Sequence, residues 1–263
     1  MSKTQSDNVL VNIDPRGVCT LTMNRPDKHN AFDDTLIKNL LAALIQADNN
    51  ETIRMVIITG SGASFSSGAD LNWMRAMANV DHTTNYNDAL QLAALLHTLY
   101  SFSKPTIARV NGAAFGGAVG LIACCDIAIS VESARFAFTE VLLGIIPAVI
   151  APYVVTAIGP RQAKRLFLSA EKFSASDAQH FGLLHICGAA EELDNLVETQ
   201  AKALLKAGPL AQKACKQLIQ KLSGMPDDIG PYTAELIAQL RTANEGQEGL
   251  SAFLEKRAPQ WAK

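Results

Sequence analysis

The chain has 263 residues, 48% of them hydrophobic, so it is long enough to bury a sizeable core as one large domain or as a domain with an appendage. Its 23 basic and 25 acidic residues give a formal net charge of −2, without a basic block. We therefore expect a soluble globular protein with no nucleic acid partner, because binding to DNA or RNA needs a basic patch.

The N-terminal residues 1–8 are polar and lack an apolar segment, so we expect no secretory signal and a cytoplasmic location. Residues 141–160 carry no charge and are long enough to cross a membrane. However, Pro147, Pro152 and Pro160 would each disturb helix hydrogen bonds that lipid cannot replace. We predict that this segment is buried core and that no membrane partner exists.

Cysteine and histidine spacing argues against disulfide and metal chemistry. The five cysteines are odd in number and lack CxxC spacing, so we expect reduced, buried side chains. The five histidines show no HExxH pattern, and we expect no metal site.

The first elements in chain order are a hairpin, a helix and a strand. Residues 10–13 and 18–23 are predicted strands around the turn at 14–17. Asp33 or Asp34 caps a helix whose apolar side chains recur at helical spacing, and residues 55–59 are a predicted buried strand.

Strands and helices then alternate, which indicates an α/β architecture. A loop at 60–68 precedes a short helix at 71–77, and polar residues 79–87 are expected to form a mobile surface excursion. The predicted elements that follow are a helix at 90–99, a strand at 106–110, a helix at 116–125 and a strand at 127–131. Beyond about residue 190 the chain is helix-like, at 196–205, 210–222 and 232–241. We expect a core over 1–195 and a helical region over 196–263.

Known nucleotide and hydrolase motifs are missing. Gly60, Ser61 and Gly62 follow a strand like the start of a dinucleotide fingerprint, but Phe65 stands where its third glycine belongs. Neither a GxxxxGK[ST] string nor a GxSxG string occurs.

Two segments, at residues 67–70 and 115–117, are predicted to expose backbone N–H groups where a loop leads into a helix. A helix start leaves N–H groups unpaired and carries partial positive charge, so the glycine pair Gly116 and Gly117 could let an anionic oxygen approach. Two converging donors would form an oxyanion hole for a polarised carbonyl. The alternative is that these glycines serve only tight packing.

Glu140 stands at the edge of the long uncharged run. Burial there would raise its pKa and favour proton transfer. The alternative is an ordinary solvated or salt-bridged carboxylate.

Together these segments resemble the crotonase superfamily, also called enoyl-CoA hydratase/isomerase, over essentially the whole chain. The matching pieces are residues 24–32, 65–71, 104–117, 125–127, 140–147 and 251–257. The resemblance implies a spiral of β-β-α units with a helical C-terminal trimerisation region, assembled as a homotrimer or a dimer of trimers. It also implies an acyl-CoA thioester substrate and no cofactor, since CoA is part of the substrate.

The resemblance also implies site residues. The N–H groups of Ala69 and Gly117 would hold the thioester carbonyl, and Glu140 would be the catalytic acid and base. The expected CoA crevice consists of Lys28, Ala31, Ser67, Ala69 and Asp70. Phe253 and Lys256 match a C-terminal helix that covers the CoA of a neighbouring subunit. For Lys28, Lys256 and Phe253 the alternatives are plain surface cations and a core side chain.

The chain departs from the two-glutamate pattern of many hydratases, because Gly120 stands where the first glutamate belongs. The longer strings at 116–126 and 144–150 resemble a bacterial subgroup linked to branched, carboxylated enoyl-CoAs such as 3-methylglutaconyl-CoA in leucine breakdown. Gly120 would leave room for such a branch, in a pocket to which we also assign Gly116 and Pro147.

Three functions remain open at this stage. An enoyl-CoA hydratase is favoured, and a 3,2-enoyl-CoA isomerase is the alternative because a single carboxylate can move a proton from C2 to C4. A non-catalytic relative that binds acyl-CoA or RNA is the third hypothesis, disfavoured by the net charge.

Overall fold

The computed structural model describes residues 8–223 and 229–260. The N-terminal residues 1–7, on which the expectation about a secretory signal rests, lie outside the described part. The strands in chain order are β1 (Val9–Ile13), β2 (Val18–Met23), β3 (Met55–Gly60), β4 (Ser64–Ser66), β5 (Thr106–Val110), β6 (Ala113–Phe115), β7 (Ile127–Val131), β8 (Arg135–Ala137), β9 (Phe173–Ser174) and β10 (Ile186–Gly188).

The described helices alternate with these strands and then form the C-terminal region. They are α1 (Asp34–Asn49), α2 (Leu71–Ala78), α3 (His82–Tyr100), α4 (Gly117–Cys124), α5 (Ala151–Ser169), α6 (Ala175–His180), α7 (Leu193–Lys206), α8 (Pro209–Ser223), α9 (Ile229–Thr242) and α10 (Asn244–Leu254). The predicted α/β class with a helical C-terminus is confirmed.

The larger sheet has the order β1-β2-β3-β5-β7-β10. β1 and β2 form the predicted antiparallel hairpin, and the remaining neighbours are parallel. β3 is buried along its whole length, as expected for a parallel strand covered on both faces. This sheet and the helices on it contain most of the core.

The smaller sheet has the order β4-β6-β8-β9 and was not predicted. Its strands have two or three residues each, too few for a periodic pattern to appear in the sequence. β4, β6 and β8 are mutually parallel, so their carboxyl ends lie at one edge of the sheet.

The expectation of a mobile excursion at residues 79–87 is wrong. Asp81 caps α3, which begins at His82, and Asn85 is fully buried. The Asn85 side-chain amide donates to the carbonyl oxygens of Met77 and Val80. It therefore pairs backbone groups at and just after the end of α2 instead of facing water. A polar composition therefore misled the sequence-based expectation.

Nine of the residues 141–160 are buried, in keeping with the predicted core segment, whereas Leu142, Thr156 and Pro160 are exposed. α5 starts within this segment and is interrupted at Gly159, which has a φ of 74° just before Pro160. Within the described ranges, no helix is long and apolar enough to cross a membrane.

The expectation that all cysteines are buried needs correction. All five are free, and Cys19, Cys124 and Cys125 are buried. Cys187 is half-buried and Cys215 is exposed.

The C-terminal helices pack onto the core. α9 lies along α3, and α10 returns to contact α2 and the short 3₁₀ helix Glu140–Leu143. Gly249 of α10 approaches so closely that a Cβ atom there would lie 2.1 Å from the Leu143 carbonyl oxygen. The domain boundary at residue 195 stays a prediction.

Candidate active site

The three segments singled out in the sequence follow three neighbouring strands of the smaller sheet. Residues 67–70 follow β4, Gly116 and Gly117 follow β6, and Glu140 follows β8. Because these strands are parallel neighbours, the segments emerge at the same edge of the sheet. The Gly116 amide also donates to the Ala137 carbonyl oxygen at 3.0 Å, which joins the second segment to the third.

The Ala69 amide is free to bind a ligand because of how its neighbours pair with Phe32. Phe32 donates to the Gly68 carbonyl oxygen at 2.7 Å and accepts from the Asp70 amide at 2.8 Å. In this parallel bridge the N–H of Ala69 itself points away from Phe32. Among the residues that the structure describes, it has no hydrogen-bond acceptor.

The Gly117 amide is unpaired for a different reason. Gly117 is the first residue of α4, and the first N–H groups of a helix have no intrahelical partner. The preceding Gly116 has a φ of 51°, a conformation that side chains with a Cβ rarely adopt. Within residues 8–223 and 229–260 the Gly117 N–H has no acceptor either.

Glycines allow the two amide-bearing segments to touch. A Cβ atom on Gly68, whose φ is +86°, would lie 2.9 Å from the Phe115 carbonyl oxygen. A Cβ atom on Gly117 would lie 3.1 Å from the Phe32 ring. The close approach of the two segments therefore depends on glycine at position 68, and a side chain at position 117 would crowd the Phe32 ring.

The Glu140 carboxyl lies beside Gly116. A Cβ atom on Gly116 would lie 3.1 Å from Glu140 Oε1. Glu140 Oε2 is buried and has no hydrogen-bond partner in the described part of the chain. Burial raises the pKa of Glu140 to about 7, although its own backbone N–H partly opposes that shift.

These groups line one cavity of about 650 Å³. Of the expected site residues, those lining it are Ser67, Ala69, Gly116, Gly117, Glu140, Pro147 and Phe253. Most other lining side chains are apolar and come from α2, the 143–150 segment, α9 and α10. The cavity has the size and character of a small-molecule site.

Asp70 lies next to this cavity but is occupied by protein partners. Its Oδ1 accepts from the amides of Asn72 and Trp73, which caps α2, and its Oδ2 lies 3.0 Å from Arg25 and 3.4 Å from Lys28. Burial alone would raise the pKa of Asp70, but the amides of Asn72 and Trp73 together with Lys28 bring it below its usual value. The carboxylate thus orients the loop that carries Ala69.

Lys28 and Ala31 lie on the loop that Asp70 holds. Lys28 is half exposed, whereas Ala31 is buried and its carbonyl oxygen accepts from Arg25. The Ser67 hydroxyl donates to the Lys28 carbonyl oxygen at 3.4 Å, so the two loops are joined.

α10 contributes to the cavity of its own chain, through Gly249, Leu250 and Phe253. The expectation that this helix covers the CoA of a neighbouring subunit stays a prediction. Lys256 follows α10 and is exposed, outside the described cavity lining.

The room expected at Gly120 is also absent. A Cβ atom on Gly120 would lie 2.3 Å from Ile150 Cγ2, and Leu96 lies behind it. Ile150, not Gly120, lines the cavity. Ile150 therefore fills the space that a side chain at position 120 would occupy, and no room is left there for a branched substrate.

Sequence reasoning missed a buried polar cluster made of Trp73, Asp88 and Arg241. Arg241 Nη1 lies 3.3 Å from Asp88 Oδ2, and Trp73 Nε1 donates to Asp88 Oδ1 at 3.0 Å. The guanidinium carbon lies 5.6 Å from the centre of the Trp73 ring. The three residues come from α2, α3 and α9, so no local pattern joins them.

Comparison with known proteins places this fold in the crotonase class. A crystal structure of an enoyl-CoA hydratase from Shewanella pealeana is 43% identical, with a TM-score of 0.80 over 97% of this chain and 96% of its own. The 2,3-dehydroadipyl-CoA hydratase of Escherichia coli is 32% identical over 93% of this chain and 94% of its own. The short-chain-enoyl-CoA hydratase of Clostridium acetobutylicum is 30% identical over 91% and 92%.

The family model described as enoyl-CoA hydratase/isomerase matches residues 14–263. This chain belongs to the enoyl-CoA hydratase/isomerase family and is an enzyme of that family. An acyl-CoA thioester substrate fits this membership.

Proposed function

We propose that this protein adds water across the 2,3 double bond of an enoyl-CoA. The observation that carries the proposal is the position of Glu140, a buried carboxyl with a raised pKa that lines the same cavity as two unpaired amides. In this proposal the amides of Ala69 and Gly117 hold the thioester oxygen. CoA is part of the substrate, and no other cofactor takes part.

The proposed reaction uses one carboxyl twice. A water oxygen bonds to C3 while the π electrons move toward the thioester carbonyl, whose oxygen gains negative charge. The two amides stabilise this oxyanion. Glu140 accepts the proton released by the water and then transfers it to C2, so that H and OH are added overall. A pKa of about 7 makes both protonation states of Glu140 accessible near neutral pH.

A 3,2-enoyl-CoA isomerase is the second candidate. Glu140 is the only acidic side chain among the described residues that line the cavity. A single carboxylate is sufficient to remove a proton from C2 of a 3-enoyl thioester and return it to C4, while the same amides hold the dienolate.

The proposal of a branched substrate is no longer supported by free space at Gly120, because Ile150 fills that space. What still supports a carboxylated substrate such as 3-methylglutaconyl-CoA is the resemblance of residues 116–126 and 144–150 to that subgroup. The name of the Escherichia coli relative also points to a carboxylated acyl chain. A role in leucine breakdown stays a proposal on the same basis.

The proposed CoA crevice runs along the two joined loops, one carrying Lys28 and Ala31 and the other carrying Ser67. Lys28 is the half-exposed cation there, and a cation of this kind could pair with a CoA phosphate. A cytoplasmic location and a trimer or dimer of trimers are proposed from the resemblance. α8 exposes Leu210, Leu218 and Leu222, which are suitable for burial between subunits.

Glu140→Gln tests the function directly. With crotonyl-CoA, hydration is followed as loss of the enone absorbance, and kcat is expected to fall about a hundredfold or more. The matched control is Glu132→Gln, since Glu132 is an exposed residue outside the cavity lining. Activity that survives Glu140→Gln within a few fold would contradict the assignment.

The same assay separates the candidates. An absorbance gain from 3-hexenoyl-CoA, without loss from crotonyl-CoA, would identify the isomerase. If no enoyl thioester shows either an absorbance loss or an absorbance gain, the remaining hypothesis is a protein that binds acyl-CoA without catalysis.

A further inference from the structure

One basic side chain of the cavity differs from the others. Lys172, Arg241 and Arg257 line the cavity, but Lys172 and Arg257 are exposed and Arg257 is paired with Glu248 and Glu255. The Arg241 side chain is only 15% exposed. A charge-assisted hydrogen bond at such a site is stronger than one in open solvent.

The Arg241 guanidinium is held in place before any ligand binds. Asp88 accepts from Nη1 and is itself fixed by Trp73 Nε1, while the Trp73 ring lies beneath the guanidinium. This support comes from α2 and α3, so the side chain needs little further ordering.

Asp88 leaves most of the guanidinium unused. Arginine has five N–H donors, and the described residues provide one side-chain acceptor, at 3.3 Å. Arg241 lines the cavity, and in the described part of the chain no acceptor pairs with its Nε or Nη2. An arginine with free donors beside an apolar cavity suits a planar, two-oxygen anion.

We propose that Arg241 binds a carboxylate on the distal end of the acyl chain, so that the preferred substrates are enoyl-CoA thioesters of dicarboxylic acids. This inference rests on the proposed function and names its substrate class. Asp88 acts here as a positioning residue: it orients Arg241 and weakens its attraction for anions without lining the cavity itself.

The test compares a carboxylated and a neutral thioester of similar length, glutaconyl-CoA and 2-hexenoyl-CoA. The readout is the ratio of their kcat/KM values. Removing Arg241 alone would leave the Asp88 carboxylate without its countercharge, so the main variant is the double substitution Arg241→Met with Asp88→Asn. This variant is expected to lower the ratio at least about tenfold, the loss expected for a hydrogen bond between charged groups.

Two further variants complete the design. Asp88→Asn alone retains an acceptor for Trp73 Nε1 and frees the Arg241 charge, so the ratio is expected to rise. Arg75→Gln on α2 is the matched control, since the Arg75 side chain is exposed and its only side-chain partner among the described residues is Asn72. It should leave the ratio unchanged.

A purely structural role for the Asp88–Arg241 pair would lower both kcat/KM values together and leave their ratio constant, which would overturn the inference. Loss of absorbance with 2-hexenoyl-CoA still supports the hydratase in that case. If neither thioester is hydrated, the proposed function fails. In that case the Kd values of glutaryl-CoA and hexanoyl-CoA are measured by calorimetry. Their ratio, compared between the same variants, then tests the role of Arg241.

Discussion

Gly68→Ala separates the contribution of the Ala69 amide from that of general stability. Gly68 has a φ of +86°, and the added methyl group would lie 2.9 Å from the Phe115 carbonyl oxygen. The conformational cost alone is about 1–2 kcal/mol. The contact involves backbone on both sides, so it is relieved only by moving the 67–70 segment away from β6. That movement takes the Ala69 amide away from Gly117.

The expected magnitude follows from the loss of one oxyanion donor. Such losses reduce kcat by about 10²–10³-fold. The measurement is kcat for crotonyl-CoA together with Tm from thermal unfolding. A destabilisation of about 1–2 kcal/mol in a chain of this size should lower Tm by only a few degrees.

Gly159→Ala is the matched control. Gly159 also has a positive φ, +74°, but apart from its chain neighbours no described atom lies within 4 Å of the added Cβ position, and Gly159 does not line the cavity. We expect a similar order of Tm loss and little change in kcat. Equal activity losses in the two variants, or an active Gly68→Ala enzyme, would refute the reasoning about the Ala69 amide.

Two further predictions concern stability. Burial raises the pKa of Glu140 from 4.5 to about 7, so ionisation of its carboxyl reduces stability as the pH rises through that window, by up to roughly 3 kcal/mol. Glu140→Gln should therefore raise the urea unfolding free energy at pH 8 and hardly change it at pH 4; an equal gain at both pH values would contradict this. Gly120→Ala should destabilise the fold by about 1–3 kcal/mol, because its methyl group overlaps Ile150. With Ile150→Ala in the same chain the loss should be smaller than the sum of the single losses, and simple additivity would show that the two sites are not in contact.

The sequence was sufficient for the long elements, because their patterns repeat over many residues. The hairpin β1–β2, the helix capped by Asp33 and the buried strands β3, β5 and β7 agree with the predicted positions within a residue or two. The prediction for residues 79–87 failed because a polar side chain can form hydrogen bonds with buried backbone groups as well as with water. Asn85 does the former.

The candidate site was only partly predictable. The sequence indicated the three segments that carry Ala69, Gly117 and Glu140, but the small strands that bring them to one edge are too short to show a period. Gly120 shows a second limit of prediction from the sequence. A missing side chain in a sequence does not reveal which neighbour fills its space, and here Ile150 does.

Several groups that weaken the fold lie at the edge where β4, β6 and β8 end. Gly68 and Gly116 have positive φ, two amides lack acceptors in the described part of the chain, and Glu140 Oε2 is buried without a partner. Elsewhere such costs are usually avoided, and their grouping at functional sites is a known pattern. A thioester oxygen would satisfy both amides, and the proton transferred during the reaction would satisfy the carboxyl. The proposed substrate would thus pair the groups that this edge leaves unpaired, so the loss of either amide or of Glu140 should lower kcat more than it lowers stability.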